Sequence, residues 1–577
     1  MVYSQKLIWL LLIFLGLANN TFAAAPPEKP ITLDSELVAA HQHLEKVDPL
    51  DRPFIKFLTT YAYPPLYRDE AAMSVSFILH SLTGVPNEVT GGNSGYFAPI
   101  AIRAKLEKTF VMVYKQKVEG SDTLFWIDIR DYNWTEQAFE TVSVAEPYVR
   151  KPWINSDVYD AIRIMSGNAL IRADWFLSYT TDVTKQADFE AGNNLNTTAC
   201  EPFYYVLLYA NAKIPRNADD YRAIWGINVD RINKLQLARG TIVDRGHSGQ
   251  ISGKPVSRNS RELAKGPFDL GYHWESSDFK HNRGKRNPIE NLSIERNNKG
   301  RAVHVNIGRQ ADAHELITSN LLGLQVYYLT DGVGKRVEFA DPTIVRDTSD
   351  RLDDVRVRTA RSCIVCHPFG INVPLDALRL YLDDGVDLIV GSKEYKQALK
   401  QFYLTDLGAM IQDDQVRYAR SVVQTNGLLP EENARIYQKM MDWYDKDVTL
   451  VQAARECGVT IDEFVAKVGR AAKGKLARLT NSEDKGYGIP RAEWDDPEDG
   501  DFKLAMLLIH DEVSLKVQKE ILTVIIDECP IKLGDKTLKT VNKDEKFEVV
   551  EKKGEWFKVD LGGQTYGYIW EKHVKIH

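Results

Sequence analysis

Ser362-Cys-Ile-Val-Cys-His-Pro-Phe369 carries two cysteines three positions apart and a histidine directly after the second. On one helical turn, side chains three apart lie on the same face, so both thiols can reach one edge of a flat group. C-x-x-C-H is the attachment sequence of haem c. Each thiol closes a thioether on a vinyl group of the porphyrin, and the imidazole, held beside those bonds, becomes the proximal ligand of the iron. The motif therefore assigns Cys363, Cys366 and His367 to covalent binding of a single haem c, with His367 as the metal ligand.

Two other chemistries use paired cysteines. A thioredoxin-like dithiol needs the pair at the start of a helix within a βαβ pattern, and no such pattern surrounds residue 363. A zinc site needs two further ligands at close spacing, whereas Cys200, Cys457 and Cys529 are isolated and far from the pair. These three leave an odd number, which allows at most one internal disulfide.

The sixth iron position stays open at this level. Met410 lies downstream, at a separation where small cytochromes often supply an axial methionine, and His314 and His304 lie upstream. An iron without a sixth protein ligand is the remaining alternative.

The N-terminus points to export. Residues 1–23 combine an early lysine, Lys6, with an apolar stretch from Leu7 to Leu17 and small residues before Ala24, the pattern of a cleaved signal peptide. The stretch is short for a membrane span, so the mature chain is expected to be periplasmic or otherwise extracytoplasmic, and not membrane-spanning once the signal is removed. The whole chain of 577 residues has 44% hydrophobic and 27% charged residues and a formal net charge of −7. This is a globular composition, and the mild acidity argues against nucleic acid as a partner.

Outward from the motif the pattern changes several times, and the fold class expected is α+β. Residues 24–340 read as a mixed α/β region. Residues 34–106 alternate helical and loop signals, and Thr109–Tyr114 and Leu124–Ile129 look like a hairpin about a turn at 120–122. Helical periodicity returns over 156–176 and 219–237. Segment 245–301 holds twelve Lys/Arg against six Asp/Glu. It reads either as a solvated loop or as a basic rim, including Arg258, Arg261, Lys280, Arg283, Lys285 and Arg286, that meets haem propionates or an acidic redox partner protein. Leu324 to Phe339 reads as two strands around Asp331-Gly332.

Residues 341–500 are expected to form a mostly helical c-type haem region. Its signals are helices over Ser392–Leu404 and Glu431–Tyr444, the latter opened by Pro430, and a capping box at Thr460-Ile-Asp-Glu463. Residues 474–502 lose periodicity and read as a linker or domain edge. From 521 to 577, Phe547-Glu-Val-Val550, Trp556-Phe-Lys-Val559 and Thr565-Tyr-Gly-Tyr-Ile-Trp570 are short strands separated by glycine turns, as in a small all-β barrel.

Two resemblances add to this. From about Trp126 to Trp494 the chain resembles large secreted bacterial single-haem proteins of unassigned role. The likeness rests on Ile127-Asp-Ile-Arg-Asp-Tyr132, Arg172-Ala-Asp-Trp-Phe176, Gly271-Tyr-His-Trp-Glu-Ser-Ser-Asp-Phe279, Gly323-Leu-Gln-Val-Tyr-Tyr-Leu-Thr-Asp-Gly332 and Ser362 to Ile371. It departs from them over Ala313–Gly323, where a glycine pair and a proline-asparagine are missing. Residues 521–577 resemble a bacterial Src-homology-3-like domain, which implies a cell-wall or protein ligand and makes Trp556 a packing residue. Taken together, the expected function is one-electron transfer by an exported mono-haem cytochrome. The alternatives are a peroxidase-like haem enzyme and an envelope scaffold or sensor acting through the C-terminal barrel.

Overall fold

The computed structural model describes residues 33–85, 115–146, 157–183, 201–227, 271–279, 311–346, 355–373, 407–510 and 521–576, the last two with interruptions of one to four residues, and strand segments between 239 and 307. The fold is α+β. Its principal helices are α1 (Leu33–Lys46), α2 (Arg68–Ser81), α3 (Ala173–Thr181), α4 (Ala218–Ile224), α5 (Arg361–Cys366), α6 (Leu407–Asn426), α7 (Pro430–Tyr444), α8 (Leu450–Glu456), α9 (Ile461–Ala471) and α10 (Asp501–His510). Among the described residues no helix is long and apolar enough to cross a membrane. The signal segment and Ser392–Leu404 lie outside the described residues.

Local chemistry explains several boundaries. α7 begins with Pro430, whose missing N–H and fixed φ suit the first turn. At α9, Thr460 Oγ1 accepts from the Glu463 N–H at 3.2 Å, which satisfies one of the donors a helix start leaves open.

Three strands, β1 (Ile55–Thr59), β2 (Leu124–Asp128) and β3 (Leu170–Arg172), form a small sheet in the order β2-β1-β3. This corrects the expectation of only helices and loops over 34–106. All five residues of β1 are buried, and a strand covered on both faces shows no alternation in its sequence. β2 pairs antiparallel with β1, from Ile55 opposite Asp128 to Thr59 opposite Leu124. The hairpin partner expected at Thr109–Tyr114 lies outside the described residues.

A six-stranded antiparallel sheet contains β4 (Arg239–Ile242), β5 (Ser260–Gly266), β6 (His273–Phe279), β7 (Ala313–Ser319), β8 (Gln325–Asp331) and β9 (Arg336–Val337) as sequential neighbours. The β7–β8 hairpin closes through Asn320 to Leu324. Asn320 Oδ1 accepts from the N–H groups of Leu322 and Leu324, each at 3.0 Å, while its Nδ2 donates to the His80 carbonyl at 2.7 Å. Gly323 sits at φ +85°, and a Cβ there would meet Ser421 Oγ at 2.4 Å, so the turn requires glycine. The segment in which the expected glycine pair is missing is thus a regular strand followed by this turn.

One large core joins α2, α3, β6 to β8, α5, α6 and α7. It is dense in aromatic side chains, including Trp175, Trp225, Trp274, Tyr205, Tyr221 and Tyr327, and Cys363 and Ile364 of the motif belong to it. A second core gathers α1, β1 and the helices from Val448 onward. At its centre Glu456, fully buried, accepts from Arg491 Nη2 at 2.8 Å, Trp494 Nε1 at 2.8 Å and Arg172 Nη1 at 3.1 Å. Trp494 and Phe502 are buried here too. The stretch 474–502, expected to be a linker or domain edge, therefore contains short helices locked into a core. Its charged and glycine-rich sequence conceals this because the charges that matter are paired inside.

Residues 521–576 build a core of their own from Leu522, Val524, Cys529, Ile531, Val541, Phe557, Val559, Ile569 and Val574. The strands are β10 (Ile521–Val524), β11 (Cys529–Leu533), β12 (Lys536–Val541), β13 (Lys546–Lys553), β14 (Trp556–Asp560), β15 (Tyr566–Trp570) and β16 (Val574–Ile576). They run in the order β12-β11-β15-β14-β13-β10-β16. Among the described residues the strands pair antiparallel, and no pairing there joins the two outer strands. Trp556 is not a core residue: it is 36% exposed and stacks on Trp570, with ring centroids 6.4 Å apart. Strand alternation turns its neighbour Phe557 inward instead.

Candidate cofactor site

The motif occupies α5, a helix of less than two turns that could not persist alone. It is held by ion pairs to distant parts of the chain. Arg361 Nη1 donates to Asp182 Oδ2 at 2.8 Å, and Arg358 donates to the same oxygen. Arg361 also pairs with Asp445, at the end of α7. Asp182 is fully buried at the end of α3, so the two guanidinium groups offset the desolvation of its charge. Immediately before the helix, Ala360 adopts φ +63°, a conformation costly for alanine. Its carbonyl accepts the Ile364 N–H at 2.9 Å and so opens the helix.

Cys363, Cys366 and His367 border one cavity of about 490 Å³, within the usual range for a small-molecule or cofactor pocket. Its apolar walls are Leu329, Val337, Phe339, Ala340, Pro342, Ile344, Val345 and Val357. Residues on both sides of 340 line it, so the expected boundary between a mixed region and a haem region runs through the site. His367 lies against Glu315 of β7 and Tyr327 of β8, and α7 packs against α5.

Neither motif cysteine is in a disulfide. Burial pushes the Cys363 thiol well above its ordinary value, and the nearby Glu315 and Cys366 add to this. A dithiol oxidoreductase needs the opposite shift. Cys457 and Cys529 are also free and are buried in different cores, while Cys200 lies outside the described residues.

His367 is buried. Its Nδ1 is hydrogen-bonded to the Gly370 carbonyl at 3.2 Å, an arrangement that fixes the ring and leaves Nε2 for a metal. Gly370 sits at φ +93°, where a side chain would be strained. Nε2 faces Glu315 Oε1 at 3.5 Å. Tyr327, on the same face of the sheet, lies with its ring 6.1 Å from the imidazole.

Glu315 carries no motif, and sequence reading missed it. The pleat decides its direction, since alternate residues of β7 point to opposite faces. Glu315 stands between Leu329 and Ser276, and His314 between Thr330 and Ser277. His314 is accordingly turned to the other face, where its Nδ1 is hydrogen-bonded to Ser277 Oγ at 3.0 Å, and burial lowers its pKa. It borders both the cavity and a neighbouring groove that holds Arg216, Arg222 and Arg336. Met410 packs against the main core and is absent from the cavity walls. The side chain of His304 lies outside the described residues. Of the two, His314 borders the cavity that His367 lines, and Met410 does not.

No family model, curated protein or solved structure matches this chain.

The donor set fits haem c. Two thiols and an oriented imidazole line a pocket with apolar walls. Among the described residues no group of three or more His, Cys, Asp or Glu is placed to hold a metal ion by itself. A porphyrin brings four nitrogen ligands of its own, so one histidine is enough. The polar lining is acidic: Asp312, Asp331, Glu338 and Asp341 lie around the pocket. Haem propionates would find carboxylates along these walls. Their suggested basic partners, Arg258, Arg261, Lys280, Arg283, Lys285 and Arg286, have side chains outside the described residues.

Proposed function

We propose that this protein is an exported mono-haem c-type cytochrome whose single haem is bound through Cys363, Cys366 and His367 and serves one-electron transfer. The observation that carries the reading is the convergence of both thiols and the His367 imidazole on one cavity with apolar walls among its lining. Haem supplies an iron that cycles between two oxidation states. The chain supplies the rest. The cysteines fix the group's edge, the Nδ1 bond to Gly370 sets the direction of Nε2, and the apolar walls keep water from the ring. In this reading the chain exchanges electrons with a redox partner protein outside the cytoplasm. The C-terminal sheet, with Trp556 and Trp570 stacked near its surface, serves attachment to cell-wall material or to another protein.

A second reading, a haem-dependent enzyme, is favoured by one observation: the group facing Nε2 is a carboxylate. The test is a reductive titration of the purified full chain followed by its absorption spectrum. One reversible one-electron haem transition is expected. A chain that shows no haem transition contradicts the proposal.

A further inference from the structure

We propose that Asp174 carries a proton where the two large cores meet, which makes this joint a pH-sensitive switch, closed in acid and loosened as the carboxyl ionises. The joint is a buried ionic cluster. Arg172 of β3 and Asp174, in the first turn of α3, meet Glu456 at the end of α8, together with Glu146, Arg491 and Asp495. All six side chains are buried. Tyr63 and Trp175 beside them belong to the first core, and Trp494 and Phe502 to the second. The Arg172 guanidinium lies 5.3 Å from the centre of the Phe502 ring.

The charges in this cluster do not balance. Two guanidinium groups, which stay charged, face four carboxyl groups, so full ionisation would leave two negative charges in excess in the interior. Among the described residues no group of His, Cys, Asp or Glu is placed to hold a metal ion, so a proton is what reduces the excess. Hydrogen bonding selects the carboxyl that takes it. Glu456 accepts from Arg491 Nη2 and Trp494 Nε1, each at 2.8 Å, and from Gln452 Nε2 and Arg172 Nη1, each at 3.1 Å. Asp495 accepts from the Tyr444 hydroxyl at 2.5 Å and lies 3.4 Å from Arg491 Nη1. Such donors favour a carboxylate. Asp174 receives no side-chain hydrogen bond among the described residues. Arg172 Nε lies 3.3 Å from its Oδ1, the Trp175 N–H is its backbone donor, and Glu146 Oε1 stands 3.7 Å from the same Nε. Tyr63, whose hydroxyl burial and Asp174 keep neutral, faces it as well.

The electrostatics agree with this geometry. Burial, the largest cause, pushes the Asp174 pKa up to about 6, while Arg172 pulls it down, Glu456 adds to the rise and Arg491 opposes it. In the unfolded chain the group titrates at its ordinary 3.8, so the folded joint binds the proton more tightly. Its stabilisation by the proton is fully present below 3.8 and is lost as pH rises through about 6. The loss acts on an element that reaches the motif. α3 carries Asp174 in its first turn and is followed directly by Asp182, which receives Arg361 and Arg358. The joint and the anchor of the motif thus occupy opposite ends of one helix.

The experiment compares the full-length protein with Asp174→Asn, which keeps the shape of the protonated carboxyl and cannot ionise. Chemical denaturation at pH 5 and pH 8 gives the unfolding constant of each protein. Between the two values that of the wild type is expected to rise about tenfold more than that of the variant. The pH dependence of every other group cancels in this comparison. An infrared difference spectrum, wild type minus variant, is expected to show the carbonyl band of a protonated carboxyl at pH 5 and to lose it at pH 8. Hydrogen exchange of the α3 amides in the wild type, corrected for the intrinsic effect of pH, is expected to accelerate over the same interval. Equal pH dependence of unfolding in the two proteins overturns the proposal, and so does a difference spectrum at pH 5 without the band. Exchange in α3 that does not change with pH in the wild type overturns it even if the variant fails to fold.

Discussion

Asp182 accepts a hydrogen bond from Arg361 at 2.8 Å across 179 residues of sequence. This carboxylate, at the end of one helix, anchors the short helix that presents both cysteines. Arg358 converges on the same oxygen, so the anchor holds both ends of the Ala360 turn.

Removing that anchor leaves two arginines without their shared partner. Asp182→Ala is expected to destabilise the protein by about 3–5 kcal/mol, the usual cost of breaking a buried pair on one side. Chemical denaturation of the purified variant measures this. A loss below about 1 kcal/mol would show that the clamp is incidental.

His80 gives a prediction for pH. Its ring is buried, its Nδ1 is bonded to the Ser76 carbonyl at 2.6 Å, and burial lowers its pKa to about 4. In the unfolded chain the group titrates near its ordinary 6.5, so between pH 6.5 and 4 the unfolded state holds more protons than the folded one. Its contribution is therefore fully present above 6.5 and is lost as pH falls toward 4. From pH 7 to 5 the loss from this group is about 2 kcal/mol. Unfolding of the wild type and His80→Gln at both values isolates it. The pH-dependent difference between the two proteins should be of that size, and a difference of zero counts against a neutral buried imidazole.

The C-terminal unit should be separable. Its strands pack on nine buried residues between Leu522 and Val574, none of which belongs to the cores around the motif. A chain ending at residue 520 is expected to keep the haem spectrum of the full-length protein, with no shift in its absorption maxima. A displaced spectrum would mean that the sheet contributes to the site.

Gly370 tests what orients His367. Gly370→Ala must hold alanine at φ +93° or turn the carbonyl that receives His367 Nδ1. The expected result is a stability loss of about 1–3 kcal/mol. A haem whose reduction potential moves with the variant would separate the carbonyl's role from strain alone. An unchanged potential together with unchanged stability would show that the carbonyl is not required.

How much of this was legible in the sequence depends on distance along the chain. C-x-x-C-H is a local pattern, and its residues meet in the structure because one helical turn brings them together. The helix at Pro430 and the turn at Asp331-Gly332 were readable for the same reason. Glu315 was not, because its role depends on which face of a sheet packs against a helix much later in the chain. Asp182 and Glu456 were equally silent, since a buried carboxylate looks like a surface one until its arginines are found. β1 escaped because a strand buried on both faces loses the alternation that marks strands. Trp556 was assigned inward from the composition of small β domains, whereas the register of β14 gives that place to Phe557.

The central claim is that Cys363 and Cys366 each form one thioether to a single haem. The most direct measurement is the mass of the intact exported chain together with a covalent-haem stain, for the wild type, Cys363→Ala and Cys366→Ala. The account predicts one haem mass added to the wild type and, in each variant, attachment through the remaining thioether only or haem that acidic organic solvent removes. A wild type with no added haem, or two-bond attachment unchanged in either variant, would contradict it.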